Sequence, residues 1–293
     1  MSRPAALVAF APAKVNLGLE IVARRPDGYH EIVTVLQAID LFDRFEWRET
    51  GRPFIYYGPV GVPPEVDLVA RALARATDRD RWTGELRVIK QIPAAAGLGG
   101  GSSDAALALR LALPDADDAT LADDAAQLGS DVPFFLGPTG RALATGTGTT
   151  LAPLAPSPLW VVLVTPTLEI VGKTAALYRG LLPDDFSDGS TVRASVTSRA
   201  WPPELPNSFL RQLLDRPEVR YAYDCLWRAG ATRVTASGAG PTVFALAASR
   251  TEAEMIAART PTCAGAIRLA RSADAPDRDA AGRMALALRG RRD

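Results

Sequence analysis

Residues 93–106 read Pro-Ala-Ala-Ala-Gly-Leu-Gly-Gly-Gly-Ser-Ser-Asp-Ala-Ala. Gly97, Gly99, Gly100 and Gly101 carry no Cβ, so backbone N–H groups can converge on an anion and let it approach. The apolar residues that follow (Ala106, Leu107, Leu109, Leu111, Leu113) keep a helical period that Pro114 ends. Residues 85–92, ahead of the loop, alternate as a strand. The unit is strand, glycine loop, helix, and its chemistry is phosphate binding. The helix start adds unpaired N–H groups and the positive end of the dipole. Ser102 and Ser103 can cap the helix, bond a phosphate oxygen or reach a magnesium ion. No lysine follows as in a P-loop, and Asp115, Asp117 and Asp118 come too early for a dinucleotide fingerprint.

Other reactive side chains are sparse. The lysines are Lys14, Lys90 and Lys173, and the one histidine is His30. Lys14 and Asn16 lie on one face of an alternating strand, residues 12–22, roughly 7 Å apart. Tyr29 and His30 leave a turn built on Pro26-Asp27-Gly28, in which proline presets φ and glycine accepts a positive φ. Asp131 precedes Val132-Pro133, which restricts the backbone, and two phenylalanines. Taken alone, each of these has an ordinary structural use: a solvated strand face, a surface histidine, a turn aspartate. Cys225 and Cys263 form no metal or redox spacing and fit a reducing compartment.

The elements that must position these residues follow from periodicity and breakers. Residues 32–39 and 41–47 continue as strand, and 51–64 read as loop. Residues 64–77 read as a helix with Val66, Val69, Leu73 and Ala76 inward. Asp117 or Asp118 caps the next helix, with Leu121, Ala125 and Leu128 inward and Gly129 as a left-handed stop. Three prolines between residues 152 and 158 mark a boundary between units 1–153 and 154–293. Beyond it come a buried strand at 159–164 and a helix at 174–182 that carries Thr174 and Tyr178. An exposed connection follows at 184–199, with helices at 207–214 and 219–229. A strand-loop-strand at 234–244, a helix at 252–259 and a strand at 264–269 complete the pattern. Residues from Arg271 onward, rich in Arg, Asp and Ala, read as a solvated helix or tail.

Composition excludes some classes. With 33 basic and 33 acidic residues, nothing points to nucleic acid or an anionic membrane as the main ligand. The alanine-rich start mimics a short signal peptide, but it contains Pro12 and runs into a strand. No apolar run of transmembrane length occurs, and the expectation is a cytoplasmic protein, a monomer or weak homodimer.

Together the motifs resemble the GHMP kinases. Pro93–Ser103 is similar to their phosphate loop, Pro-Ala-Lys14-Val-Asn16 to their first motif, and Gly129-Ser-Asp131-Val-Pro-Phe to their catalytic segment. Ser237-Gly-Ala-Gly-Pro241 resembles their third glycine motif, and the resemblance spans roughly residues 8–270 in the family's order. Asp27-Gly-Tyr29-His30 resembles the branch whose substrate is 4-diphosphocytidyl-2-C-methyl-D-erythritol. The resemblance implies an α+β, two-domain GHMP kinase fold, with a ribosomal-S5-like first domain and a ferredoxin-like second one. It implies transfer of the γ-phosphoryl of ATP to the 2-hydroxyl of that alcohol, a step of the non-mevalonate isoprenoid route. In it Asp131 is the base and Lys14 neutralises the moving charge. Pro93, Gly97, Leu98, Gly99, Gly100, Gly101, Ser102, Ser103 and Lys90 hold ATP, and Ser103 is a candidate Mg2+ ligand. Asn16 and Thr174 bind the erythritol; Tyr29, His30 and Tyr178 bind the cytosine. Asp67-Leu68 stands where the family has Asn-Leu near the adenine, and Thr149 where it has a glutamate. The rivals are a GHMP kinase for homoserine or mevalonate, a non-catalytic nucleotide sensor, and an RNA-binding S5-like protein.

Overall fold

The computed structural model describes residues 6–168, 172–198, 205–274 and 278–289. In chain order the elements are β1 (Leu7–Arg24), β2 (His30–Pro53), β3 (Ile55–Tyr57), α1 (Leu68–Leu73), β4 (Thr83–Ile89) and α2 (Gly100–Ala112). There follow α3 (Asp118–Leu128), α4 (Val132–Leu136), β5 (Arg141–Gly146), β6 (Thr150–Pro153), β7 (Trp160–Thr165), α5 (Lys173–Arg179) and α6 (Ser190–Ser198). The last are α7 (Leu210–Leu214), α8 (Pro217–Arg228), β8 (Val234–Ala236), β9 (Val243–Ala247), α9 (Arg250–Arg259), β10 (Ala266–Arg271) and α10 (Arg278–Leu288).

The first sheet runs β3-β4-β2-β5-β6, with β1 also paired to β2. Helices α1 to α4 and α10 cover it, around a core that includes Leu36, Phe45, Leu86, Leu109, Leu128 and Met284. The second sheet is antiparallel in the order β10-β7-β9-β8. Helices α7 to α9 pack on it through residues such as Leu213, Val219, Leu226 and Ile256. That order, in a β-α-β-β-α-β chain, is the ferredoxin-like arrangement. A third core joins the two units: Val15, Leu17, Val33 and Val35 of the β1–β2 hairpin meet Val161, Leu163, Phe244 and Leu246. For this reason β1 is buried on both faces. Its polar residues Lys14, Asn16 and Glu20 are each no more than 5% exposed, not a solvated face.

Several expectations need correcting. Residues 51–57 are strand rather than loop, because β2 continues to Pro53 and β3 adds to β4 in parallel. The helix expected over 64–77 is the shorter α1; Asp67 caps it by accepting from the Val69 amide at 2.9 Å, leaving Val66 exposed. Gly129 has a φ of 172°, which is extended and not left-handed. The 184–199 segment contains α6, whose Val192 and Ser195 are buried, and Glu20 accepts from the Val192 amide at 2.7 Å. Among the described residues the segment after Arg271 is not a solvated tail, and 290–293 lie outside them. Ala280, Ala281, Met284, Ala285 and Leu288 of α10 are buried in the first unit, although α10 follows the whole second sheet. Residues 199 and 275–277 lie outside the described residues.

One polar cluster fixes the glycine loop to the first sheet. Asp43 of β2 is fully buried; its carboxylate accepts from the Ile92 amide at 2.9 Å and from the Gln91 amide. The Lys90 ammonium bridges Asp43 and Asp104, the latter in the first turns of α2. Strand β2, the exit of β4 and helix α2 thus meet at one ammonium. Burial pushes the Asp104 carboxyl up to about 7 against the opposing pull of Lys90, with Asp43 adding to the rise. Lys90→Met would strand two buried carboxylates. The expected loss is about 3 kcal/mol, the low end for breaking a buried pair because Lys90 is partly exposed. Lys90 opposes the rise at Asp104, so without the ammonium that carboxyl holds its proton more firmly than in the wild type, and the deficit should shrink as pH falls from 8 to 5. Urea midpoints across that range check both points; a deficit that does not vary with pH would contradict this account.

Candidate active site

The glycine loop leaves Pro93 and enters α2 through Gly99, whose φ of 70° lies in the left-handed region. A Cβ at Gly99 would stand 2.9 Å from Lys14 Cγ and 3.2 Å from Phe135 Cζ, so glycine is needed for the close approach as well as for φ. The Ser103 amide makes the first bond of the helix, to the Gly99 carbonyl at 2.9 Å. The amides of Gly100, Gly101 and Ser102 precede it and have no acceptor within the helix.

Four successive loop carbonyls are each taken by a donor fixed elsewhere. Ala95 accepts from Lys173 Nζ at 2.6 Å. Ala96 accepts from the Thr242 amide at 3.3 Å, and Leu98 from the Lys14 amide at 2.9 Å. Gly97 accepts from Ser237 Oγ at 2.8 Å. Three of the four donors belong to the second unit. A Cβ at Gly97 would lie 2.2 Å from the Ser237 carbonyl, so the 237–241 turn closes directly on the loop.

Opposite the loop, Lys14 Nζ donates to Asn16 Oδ1 at 2.7 Å and stands 3.4 Å from Asp131 Oδ2. Asp131 sits at the start of α4, about a third exposed, whereas Lys14 is almost fully buried. Asn16 Nδ2 donates to Thr34 Oγ1 at 2.9 Å, and that hydroxyl donates to the Gly18 carbonyl at 2.6 Å, which fixes the amide's orientation. Lys14, Asn16, Gly97, Gly99, Asp131 and Thr174 line one cavity of about 530 Å³.

Ser130, Thr147, Thr174, Ala175 and Tyr178 also line an outer cavity of about 1280 Å³. Tyr29 and His30 line the outer cavity only. The His30 ring stacks on Tyr178, centroids 4.6 Å apart at 26°, and Tyr178 meets Phe209 edge-on at 5.0 Å. Burial and the nearby Arg24 lower the His30 pKa, so the imidazole is neutral at pH 7, with one donor and one acceptor. Tyr29, 66% exposed, stands at the rim on a turn in which its amide donates to Asp27 Oδ1 at 3.1 Å. One face of Tyr178 is covered by His30, so a base stacking there must use the other face or displace the imidazole.

Three expected nucleotide ligands are placed differently. Leu98 is 1% exposed and belongs to the core between the units. The Lys90 ammonium is held by Asp43 and Asp104 beneath α2. Ser103 is also 1% exposed; its Oγ is buried with no hydrogen-bond partner and is not open to a hydrated cation. Among the described residues no group of three or more His, Cys, Asp or Glu side chains could hold a metal ion. Asp67, besides capping α1, accepts from the Tyr56 hydroxyl at 2.9 Å.

Lys173, Asp43 and Asp104 were not singled out in the sequence as site residues. Lys173 left a signal: it is one of three lysines and sits just ahead of the Thr174–Tyr178 element. Asp43 left none, since its partners lie 47 and 48 residues away.

Two family models match the chain: the GHMP kinases N terminal domain over residues 66–137 and the GHMP kinases C terminal domain over 215–262. A 4-diphosphocytidyl-2-C-methyl-D-erythritol kinase of Pelotomaculum thermopropionicum is 40% identical over 278 residues, covering 86% of this chain and 93% of its own length. One from Dehalococcoides mccartyi is 36% identical over 85% of this chain and 92% of its own. A crystal structure of 4-(cytidine 5'-diphospho)-2C-methyl-D-erythritol kinase superposes with a TM-score of 0.75 at 32% identity, over 91% of this chain and 99% of that one. A homoserine kinase of Cytophaga hutchinsonii shares the fold, with a TM-score of 0.64 at 18% identity over 94% and 98%. No helix among the described residues is long and apolar enough to cross a membrane. Likeness of this extent to the first three, together with the glycine loop and the Lys–Asp pair, places the chain in the 4-diphosphocytidyl-2-C-methyl-D-erythritol kinase family of the GHMP kinases.

Proposed function

We propose that the chain transfers the γ-phosphoryl group of ATP to the 2-hydroxyl of 4-diphosphocytidyl-2-C-methyl-D-erythritol. The observation that carries this reading is the Lys14–Asp131 pair, 3.4 Å apart in the cavity that Gly97 and Gly99 also line. Phosphoryl transfer asks chiefly for positioning and for stabilisation of charge. The β- and γ-phosphates lie on the amides of 99–102 at the positive end of α2. Asp131 takes the proton of the attacking hydroxyl, the oxygen bonds to the γ-phosphorus, and the bond to the bridging oxygen of ADP breaks. The Lys14 ammonium neutralises charge on the moving group, held there by Asn16.

The alcohol lies against Asn16 and Thr174. The cytosine reaches the outer cavity, where neutral His30 can meet either a donor or an acceptor of its edge and Tyr29 and Tyr178 offer ring faces. Binding energy gathered there, remote from the chemistry, fixes the hydroxyl at Asp131. The division into 1–153 and 154–293 assigns the loop, the base and the first aromatic pair to one part. Thr174, Tyr178 and the 237–241 turn fall in the other. Mg2+ would arrive with the triphosphate and rest on phosphate oxygens and water, since the buried Ser103 hydroxyl does not suit it. No step depends on a protein ligand to that ion.

Asp131→Asn should lower kcat by about 10²-fold or more, while ATP affinity stays within about twofold because the base touches only the alcohol. Single-turnover phosphotransfer and ATP titration check the two halves; normal turnover would remove Asp131 from the mechanism. His30→Ala and Tyr178→Ala should each raise KM for the cytidylated alcohol about tenfold, with KM for ATP little changed. For Tyr178 the size follows from about 1–3 kcal/mol per stacked base, and for His30 from about 1 kcal/mol for a lost edge hydrogen bond. Offering diphosphocytidyl-methylerythritol, homoserine and mevalonate side by side tests the substrate; preference for either of the others would overturn the assignment.

A further inference from the structure

Among the donors that hold the four loop carbonyls, only Lys173 Nζ is an ionised side-chain group. It belongs to α5 of the second unit, and it bonds both the Ala95 carbonyl of the loop and the Gly240 carbonyl of the facing turn. Ala95 has a φ of 51° and is the one non-glycine residue with positive φ among the described residues. Such a conformation is strained for a residue with a Cβ and persists only where its surroundings hold it. Gly172, ahead of α5, is also left-handed, at φ 64°, and no atom crowds the place of a Cβ there. Glycine at 172 therefore serves the turn that starts α5 at Lys173. Among the described residues no carboxylate bonds this ammonium; its acceptors are two carbonyls, and it shares the inner cavity with Lys14.

We propose that Lys173 is the positioning residue that sets the anion-binding conformation of the glycine loop, by tying its strained Ala95 carbonyl to the Gly240 turn of the other unit. With the carbonyl side of the loop held, the amides of 99–102 remain free for phosphate. The ammonium acts through the loop and takes no part in proton or phosphoryl transfer. This inference rests on reading residues 93–103 as the ATP loop.

The tie is strongest while Lys173 is protonated: the ammonium makes charge-assisted bonds to both carbonyls, whereas the neutral amine donates weakly and turns a lone pair toward carbonyl oxygens. Burial, with the Lys14 ammonium adding to it, lowers the Lys173 pKa to about 8. The charged and titratable groups that face the same cavity are Lys14 on β1, Asp131 at the start of α4, and Tyr178 on α5, whose pKa burial raises. With the Lys173 pKa at about 8, the charge-assisted tie is at full strength well below that value and weakens as pH rises through it. From pH 7 to pH 9 the protonated fraction falls from about 90% to about 10%.

The test is ATP affinity by calorimetry at pH 7 and pH 9 for the wild type, Lys173→Met and Lys173→Arg, with KM and kcat alongside. Wild-type affinity should fall about fivefold or more between the two pH values. Lys173→Met should bind ATP at least about tenfold more weakly at pH 7, with no further fall at pH 9 and with kcat at saturating ATP within about threefold of wild type. Lys173→Arg keeps its charge throughout and should restore affinity at pH 7 and hold it at pH 9. Unchanged ATP affinity in Lys173→Met would overturn the proposal, as would a loss of kcat without a change in affinity. A wild-type affinity independent of pH would overturn it too, and that measurement needs no variant to fold. Hydrogen exchange of residues 94–103 in nucleotide-free protein separates the two readings. Faster exchange in Lys173→Met, together with a wild type that binds no ATP, would keep the tie and sink the nucleotide reading. Unaltered exchange would sink the tie.

Discussion

A loop can present amides to an anion only if its carbonyl oxygens are satisfied elsewhere. Here the carbonyls of residues 95 to 98 are taken by Lys173, Thr242, Ser237 and the Lys14 backbone. The rest of the architecture follows from that need. The second sheet must pack on the β1–β2 hairpin to bring the 237–241 turn within reach, and the joint core of Val15, Leu17, Leu163 and Phe244 holds it there. From the other side, Lys90 with Asp43 and Asp104 pins the start of α2 to the first sheet. The loop is clamped from both units, and neither could shape it alone.

The same packing explains how a lysine stands inside a strand that is buried on both faces. Lys14 is 4% exposed, and a buried ammonium without partners would be costly. Asn16 and Asp131 supply the partners, and Thr34 holds Asn16 in turn. Each polar group in the chain of contacts is oriented by the next. The Lys14–Asp131 pair is thus held by the interior of the molecule, while Tyr29 stands largely open at the rim of the outer cavity.

Local features were legible in the sequence, and features made by distant packing were not. The glycine loop, α2 and the Asp27-Gly28 turn depend on residues within a few positions, and the chain adopts them as expected. The meeting of Lys14 with Asp131, 117 positions apart, came from the family resemblance and not from spacing. Alternation in β1 identified a strand but could not say that both faces would be covered, because the second sheet that covers one of them starts more than a hundred residues later. Lys90 was expected near the nucleotide from the family resemblance; its pairing with Asp43 and Asp104, 47 and 14 residues away, left no sign in the sequence. The apolar stripe of α10 was readable: Ala280, Ala281, Met284, Ala285 and Leu288 keep helical spacing. Arginine and aspartate around it masked the signal.

The placement of α10 bears on how the chain folds as it is made. Its five apolar residues complete the core over α2, yet they are synthesised after the entire second sheet. On the ribosome, the first sheet and its helices emerge with an uncovered apolar groove that only residues 278–288 can fill. Domains that emerge first generally fold as units during synthesis. Here the first unit must wait through the synthesis of the second, with part of its core open to chaperones or to wrong partners. Closure of the first unit's core is therefore tied to completion of the second sheet.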